Sequence, residues 1–152
     1  MDFYLEIDKR KPIASLAIPQ NFQSNLSEDN NGFSFYLSKK DSHTTVEQIT
    51  LPHSQSILLG DPIYPSIKRQ YIHAFLGGNE FGKFFRAVDG FYFLIHWDKK
   101  SKQLIVGSSM FNILPVYSAE TDTSLYISSS FDLIRTNSGI TFTTDHQYYL
   151  EK

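Results

Sequence analysis

The strongest constraint in this sequence is an almost unbroken apolar run at residues 90–98, Gly-Phe-Tyr-Phe-Leu-Ile-His-Trp-Asp. Polar residues interrupt it at 99–102, and a second run, Gln-Leu-Ile-Val-Gly, follows at 103–107. Two runs of strand length around a polar turn predict a β-hairpin. Because the first run has no alternating polar face, it predicts a strand that is covered on both sides by another sheet or by helices. The chain therefore needs a layered fold.

Further strands are predicted on both sides of this hairpin, from short apolar or alternating runs that are bounded by turn residues. These strands are predicted at residues 3–7, 13–18, 32–38, 44–50, 56–60 and 125–130. The polar segment at 20–32 predicts a loop. The strand at 44–50 is predicted to pair with the strand at 32–38.

Two helices are predicted before residue 90, where the apolar spacing changes from a strand period to a helical one. The apolar faces consist of Ile67, Tyr71, Ile72 and Phe75 in the first helix and of Phe81, Phe84, Phe85 and Val88 in the second. Gly77 and Gly78 are predicted to end the first helix, and Asn79 to cap the second. Strands interrupted by a helical pair predict an α+β domain.

Composition narrows the possible chemistry. A length of 152 residues predicts one domain, and the absence of cysteine excludes a disulfide, a thiolate metal ligand and a cysteine nucleophile. A formal net charge of −2 gives no reason to expect a nucleic acid or an anionic membrane as partner. No run approaches the roughly 18 apolar residues of a transmembrane helix, and no signal peptide is evident. We therefore expect a cytoplasmic protein.

Several polar residues invite a catalytic or metal-binding interpretation that the surrounding sequence does not favour. No two of the five histidines have the spacing of paired metal ligands, so no metal site is predicted. His96, in an apolar strand, is interpreted as a hydrogen-bonded core or edge residue. Asp89 and Asp98 are interpreted as turn or cap residues. The serines at 128–130 lack a nucleophile-elbow motif and are interpreted as a strand end.

The order of motifs from residue 90 to residue 130 resembles the amino-terminal glutamine amidotransferase domain of asparagine synthetases. The matching segments are Gly-Phe and Trp-Asp within 90–98, the glycine at 107, Leu-Pro-Val-Tyr at 114–117 and Leu-Tyr-Ile-Ser-Ser at 125–129. That family has a G-x-F strand, a hairpin, an R-D-x-x-G-x-x-P-L-Y segment and an L-x-x-A-S-E strand. The resemblance implies an N-terminal-nucleophile hydrolase-like fold, with two stacked antiparallel sheets flanked by helices in the order αββα.

The family's catalytic groups have no counterparts at the matching positions. Its nucleophile is an N-terminal cysteine, whereas residue 2 here is an aspartate, which we expect to leave Met1 in place. In its N-G-E-I-Y-N segment, the asparagine amide and the glycine backbone N–H form the oxyanion hole. The asparagine corresponds to a leucine here, while the glycine is kept as Gly60, and the family's R-D pair corresponds to two serines. No arginine occurs at 43–56, where the family grips the substrate carboxylate. These degenerate substrate-pocket positions are Asp2, Leu59, Gly60, Asp61, Ser108 and Ser109.

The resemblance therefore implies a domain that keeps the amidotransferase scaffold without glutaminase activity, as in β-lactam synthetases. The predicted role is structural, within an asparagine synthetase-related enzyme that forms amides with ATP. Residues 1–152 would be the amino-terminal part of a longer chain. ATP and magnesium are expected only in a carboxy-terminal synthetase domain, which would be the main partner. A homodimer contact through a sheet edge or the helical layer is also expected.

Two other functions stay open at this point. The parent protein would be a working glutamine-hydrolysing asparagine synthetase if ammonia arrived by another route. An S-G-G-x-D-S loop beyond residue 152 is expected for any such synthetase. Alternatively, the chain is a stand-alone binding module with a small-ligand pocket in the former glutamine site.

Overall fold

The computed structural model of the chain describes residues 2–13, 16, 32–38, 45–64, 69–109 and 114–142. These residues form eight strands and three helices. In chain order the elements are β1 (Asp2–Asp8), β2 (Phe33–Ser38), β3 (Val46–Thr50), β4 (Ser54–Ile63), α1 (Arg69–Gly77), α2 (Phe81–Ala87), β5 (Asp89–Asp98), β6 (Gln103–Ser108), β7 (Tyr117–Glu120), β8 (Ser124–Ser128) and α3 (Phe131–Asn137). The predicted hairpin is confirmed as β5 and β6.

The strands form two four-stranded antiparallel sheets. Sheet A has the order β2-β1-β8-β7, and sheet B has the order β3-β4-β5-β6. The predicted pairing of 44–50 with 32–38 is wrong, since β3 pairs with β4 and β2 pairs with β1. A hydrophobic pattern identifies a strand and its buried face, but it does not identify the neighbouring strand.

The two sheets stack face to face over a shared apolar core. Sheet A contributes Phe3, Leu5, Phe33, Phe35 and Leu37, and sheet B contributes Ile57, Leu59, Phe93, Ile95 and Trp97. On each strand these residues alternate with residues that face outward, as the pleat of a strand requires. This alternation places the largest core of the described chain between the sheets.

Helices cover the outer faces of both sheets. Ile72 and Leu76 of α1 and Phe84 of α2 pack with Leu58 and Leu94 of sheet B. On the other side, Ile134 of α3 packs with Tyr4 and Tyr126 of sheet A. The predicted α+β class with two antiparallel sheets is confirmed. Strand β5 is covered on both faces from Tyr92 to Asp98 as predicted, whereas Phe91 near its start is 58% exposed.

The helix predictions hold only in part. Helix α1 buries Ile72 and Leu76, but Tyr71 is 56% exposed, so the predicted apolar face is rotated. Helix α2 begins after Glu80, and the amide of Asn79 instead donates to the Asp98 carboxylate at 2.9 Å. Helix α3 was not predicted, because its seven residues give too short an apolar pattern.

Parts of the sequence predictions lie outside the described residues. They include Met1, Ile67 and most of the loop predicted at 20–32. Of the strand predicted at 13–18, only Ile13 and Leu16 are described, and neither is in a strand.

Candidate functional site

The degenerate pocket positions in sheet B lie on three adjacent strands around Phe93. Phe93 pairs with Leu59 of β4 and with Ser108 of β6. Gly60 and Asp61 follow Leu59 along β4, and the backbone N–H of Ser109 donates to the carbonyl of Tyr92 at 3.0 Å. The hydrogen-bond register therefore gathers these positions at one end of the sheet.

Asp2 reaches the same end of the molecule through its neighbour Phe3. The ring of Phe3 packs edge-on against that of Phe93, with centroids 4.9 Å apart. Phe3, Leu59 and Phe93 are at most 2% exposed, so apolar side chains fill the space between the sheets here. We call this part of the molecule, defined by these three residues, the sealed end.

Two serines, Ser128 at the end of β8 and Ser129 directly after it, fix the beginning of β1 at the sealed end. The hydroxyl of Ser128 donates to the Phe3 carbonyl at 2.6 Å, and the Phe3 N–H donates to the hydroxyl of Ser129 at 3.0 Å. Ser128 is completely buried, and its oxygen also accepts from the N–H of Ser130 at 3.0 Å. These bonds confirm the interpretation of 128–130 as a strand end, since the hydroxyls serve the backbone.

Neither of the two oxyanion donors that the resemblance implies is available at the sealed end. At the position of the asparagine, Leu59 is fully buried and has no donor. The backbone N–H of Gly60, the second implied donor, donates to the carbonyl of Thr45 at 3.0 Å, and the Thr45 hydroxyl bonds the Gly60 carbonyl. A developing oxyanion needs preorganised donors that are free to reach it. The glycine of the implied oxyanion hole is therefore kept in the sequence as Gly60, but its backbone N–H is already bonded and cannot serve as a donor.

A buried serine–histidine pair lies between β4 and β5, on the face of sheet B that carries the helices. Nδ1 of His96 lies 2.7 Å from the Ser56 hydroxyl, and the Phe81 ring packs against the imidazole with centroids 4.9 Å apart. Burial lowers the pKa of His96, and the negative charge of Asp98 offsets this only in part. Because both residues are completely buried, no substrate can reach them. The interpretation of His96 as a hydrogen-bonded core residue is confirmed.

Asp98 organises the turn between β5 and β6. Its carboxylate accepts from the N–H groups of Lys100 and Ser101 at 2.8 and 3.3 Å, from the Ser101 hydroxyl at 2.8 Å and from the Asn79 amide at 2.9 Å. These bonds, of which the Asn79 bond acts most strongly, hold the pKa of Asp98 far below its usual value. The predicted turn role of Asp98 is confirmed, whereas Asp89, for which a turn or cap role was also predicted, is the first residue of β5.

A cavity at the opposite end of the sheets was not predicted from the sequence. It has a volume of about 670 Å³ and lies where β1 and β8 of sheet A end beside β5 and β6 of sheet B. Its apolar walls include Ile7, Trp97, Leu104 and Leu125, and its cationic residues are Lys9, Arg10, Lys11, Lys99 and Lys102. We call it the basic cavity. The cations stand in two turns about 90 positions apart in the chain, so no local pattern shows that they meet.

Neither end can be assigned by similarity to known proteins. Comparison of the chain with protein-family models, curated proteins and solved structures finds no match. Within the described ranges, no group of three or more histidine, aspartate or glutamate side chains is placed to hold a metal ion. No helix in the same ranges is long and apolar enough to span a membrane.

Proposed function

We propose that this chain is a catalytically inactive glutamine amidotransferase-like domain with a structural role. Its parent would be an asparagine synthetase-related enzyme that forms amides with ATP. The observation that carries the proposal is the state of the implied oxyanion donors: Leu59 is buried in the core, and the Gly60 N–H is already bonded to Thr45.

The arrangement of the layers supports the family part of this proposal. Helices α1 and α2 cover sheet B, the two sheets face each other, and α3 covers sheet A. Strand β1 lies inside sheet A between β2 and β8, so the start of the chain enters the fold in an interior strand. This order of layers is the one that the resemblance implies.

The loss of activity follows from the chemistry that amide hydrolysis requires. The reaction needs a nucleophile, a base within reach of it and donors for the tetrahedral oxyanion. Loss of a single oxyanion donor typically slows catalysis by about 10²- to 10³-fold. This chain has no thiol, and neither of the two implied donors is available at the sealed end.

A glutaminase assay tests the catalytic part of the proposal. The purified protein is incubated with L-glutamine, and glutamate and ammonia are measured against buffer. We expect no turnover in the wild type. We also expect none in the Asp2→Cys variant, because an added thiol does not restore the oxyanion donors. Glutamate release by the wild type would overturn the proposal.

The structural role is tested with the parent enzyme. With ATP and magnesium, we expect the parent to form its amide product from a free amine or ammonia and to gain nothing from added glutamine. Product formation that depends on glutamine would favour the rival interpretation of a working asparagine synthetase. A gene that encodes no S-G-G-x-D-S loop would remove the proposed parent altogether.

A further inference from the structure

We propose that the basic cavity binds a small amphipathic anion, a molecule with an apolar body and a carboxylate or phosphate group. The proposal does not rest on the proposed function, because the cavity lies at the other end of the sheets from the sealed end. It would hold whether or not the chain descends from an amidotransferase.

The apolar part of such a ligand has a matching wall. Ile7 and Leu125 are paired residues of sheet A, while Trp97 and Leu104 are paired residues of sheet B. All four line the cavity, so both sheets contribute to its apolar wall. The volume of about 670 Å³ lies within the range of small-molecule sites, about 300 to 1,000 Å³.

The charge around the cavity favours an anion. Its lining contains five cationic side chains and one carboxylate, Asp8, although the chain as a whole has a formal charge of −2. Asp8 is already bound by Arg10 at 2.9 and 3.0 Å, and Lys9 pairs with Glu120 at 2.5 Å. Within the described part of the chain, Lys99 and Lys102 form no ion pair. A concave surface with one sign of charge concentrates the opposite charge.

The turn that carries these two lysines is held in a fixed conformation. The Asp98 carboxylate accepts bonds from Lys100, Ser101 and Asn79, so the turn is tied both to itself and to the segment between α1 and α2. Lys102 has φ +56°, a left-handed conformation that disfavours lysine. Backbone strain of this kind persists only where the surrounding structure imposes it, and strained residues are common at ligand-binding sites. The backbone of the turn therefore needs no further ordering on binding, and only the exposed lysine side chains have to be ordered.

The wall also contains a polar group without a partner. Trp97 is 7% exposed and lines the cavity, and its indole Nε1 has no hydrogen-bond partner among the described residues. Buried indole N–H groups usually find an acceptor. Because this nitrogen is itself buried, the indole offers a bound ligand the apolar surface of its ring and not a hydrogen bond.

Because the chain has a single tryptophan, its fluorescence reports directly on the cavity. The protein is titrated with decyl phosphate and decanoate below their micelle concentrations, and in parallel with decanol and with inorganic phosphate. We expect a saturable change in Trp97 fluorescence with the two amphipathic anions. Decanol should bind at least about tenfold more weakly, and phosphate alone should give no response, since each supplies only part of the recognition.

A double variant of Lys99 and Lys102 and a control variant of Lys100 isolate the role of the two cavity lysines that form no ion pair. Lys99→Gln/Lys102→Gln should weaken decyl phosphate binding about tenfold. Lys100→Gln removes a cation of the same turn that does not line the cavity and should weaken binding by less than about twofold. Circular dichroism confirms that the variants are folded. Three results would each overturn the proposal. They are an equal loss of affinity in both variants, equal affinity for decanol and decyl phosphate, and a titration with decyl phosphate that gives neither a fluorescence change nor a heat signal in calorimetry.

Discussion

The two ends of the stacked sheets share a framework and differ in what fills them. At the sealed end, Phe3, Leu59 and Phe93 close the space between the sheets. At the other end, the same alternation of inward residues stops at Ile7 and Trp97, and cationic turns surround a cavity. The comparison shows that residues at strand ends, more than the sheets themselves, decide whether the space between the sheets is filled or open.

The two ends also differ in how their residues contribute to the stability of the fold. The sealed end uses its residues to stabilise the fold, through buried rings and through hydrogen bonds from Ser128 and Ser129 to Phe3. The open end keeps features that cost stability, such as the left-handed Lys102 and the unpaired indole of Trp97. Substitutions at the two ends should therefore have opposite effects on stability.

The largest expected effect is at the sealed end. Leu59→Asn should lower the free energy of unfolding by about 4 kcal/mol, because it removes buried apolar volume and buries an unpaired amide. Urea denaturation measures the loss. The volume-conserving Leu59→Met should cost about 1 kcal/mol or less. If asparagine were tolerated as well as methionine, the end would not be sealed.

The next effect concerns the bonds that hold the start of β1. Ser128→Ala removes a buried hydroxyl that donates to Phe3 and accepts from Ser130, and should cost about 1.5 kcal/mol. The control is Ser118→Ala, on the exposed side of β7, with an expected change within about 0.5 kcal/mol. Equal urea midpoints for the two variants would show that the serine contacts do not anchor β1.

A pH effect is expected from His96, which lies beside Trp97 on β5. Burial lowers its pKa in the folded protein below the usual value of 6.5, so the unfolded chain takes up the proton first. The contribution of His96 to stability is complete above about pH 6.5 and is lost below it, by at most about 1.4 kcal/mol per pH unit.

The variant His96→Gln isolates this contribution, because glutamine can bond to Ser56 and does not titrate. Urea unfolding at pH 7.5, 6.0 and 5.0 should show a smaller loss of stability in the variant than in the wild type. Parallel pH profiles for the two proteins would contradict a neutral, buried His96.

The smallest effect has the opposite sign. Lys102→Gly should raise the free energy of unfolding by about 1 kcal/mol, because glycine accepts a left-handed conformation without strain. The same variant should bind decyl phosphate more weakly. Lys100→Gly, at a residue without positive φ, should bring no gain. If Lys102→Gly destabilised the protein, the contrast between the two ends would lose its energetic basis.

The periodicity of the sequence was sufficient for the α+β class and for the described strands except β7, which was not predicted. A strand was also predicted at 13–18, where neither of the two described residues is in a strand. The unbroken run at 90–98 predicted β5 and its double burial, and the spacing of Phe81, Phe84 and Phe85 predicted α2. The pairing of the strands was harder to predict, because β3 carries the same β-branched pattern whether it pairs with β2 or with β4. Helix α3 spans only two turns and gave no helical period of its own.

The sealed end and the basic cavity could be predicted from the sequence less completely than the fold. A motif comparison located Leu59 and Gly60, but only the structure shows that the Gly60 N–H is already bonded to Thr45. The basic cavity joins turns near residues 10 and 100, and each turn alone reads as ordinary solvated charge. Contacts between distant turns depend on topology, which local sequence does not determine.

One ¹H–¹⁵N correlation spectrum, recorded with each of two ligands, tests the contrast between the ends most directly. The single indole N–H of Trp97 marks the basic cavity, and the backbone amides of Phe3, Gly60 and Ser109 mark the sealed end. Decyl phosphate should shift the indole signal and leave those amides in place, and L-glutamine should shift neither. Movement of the sealed-end amides by glutamine, with an indole signal that decyl phosphate does not move, would contradict the account.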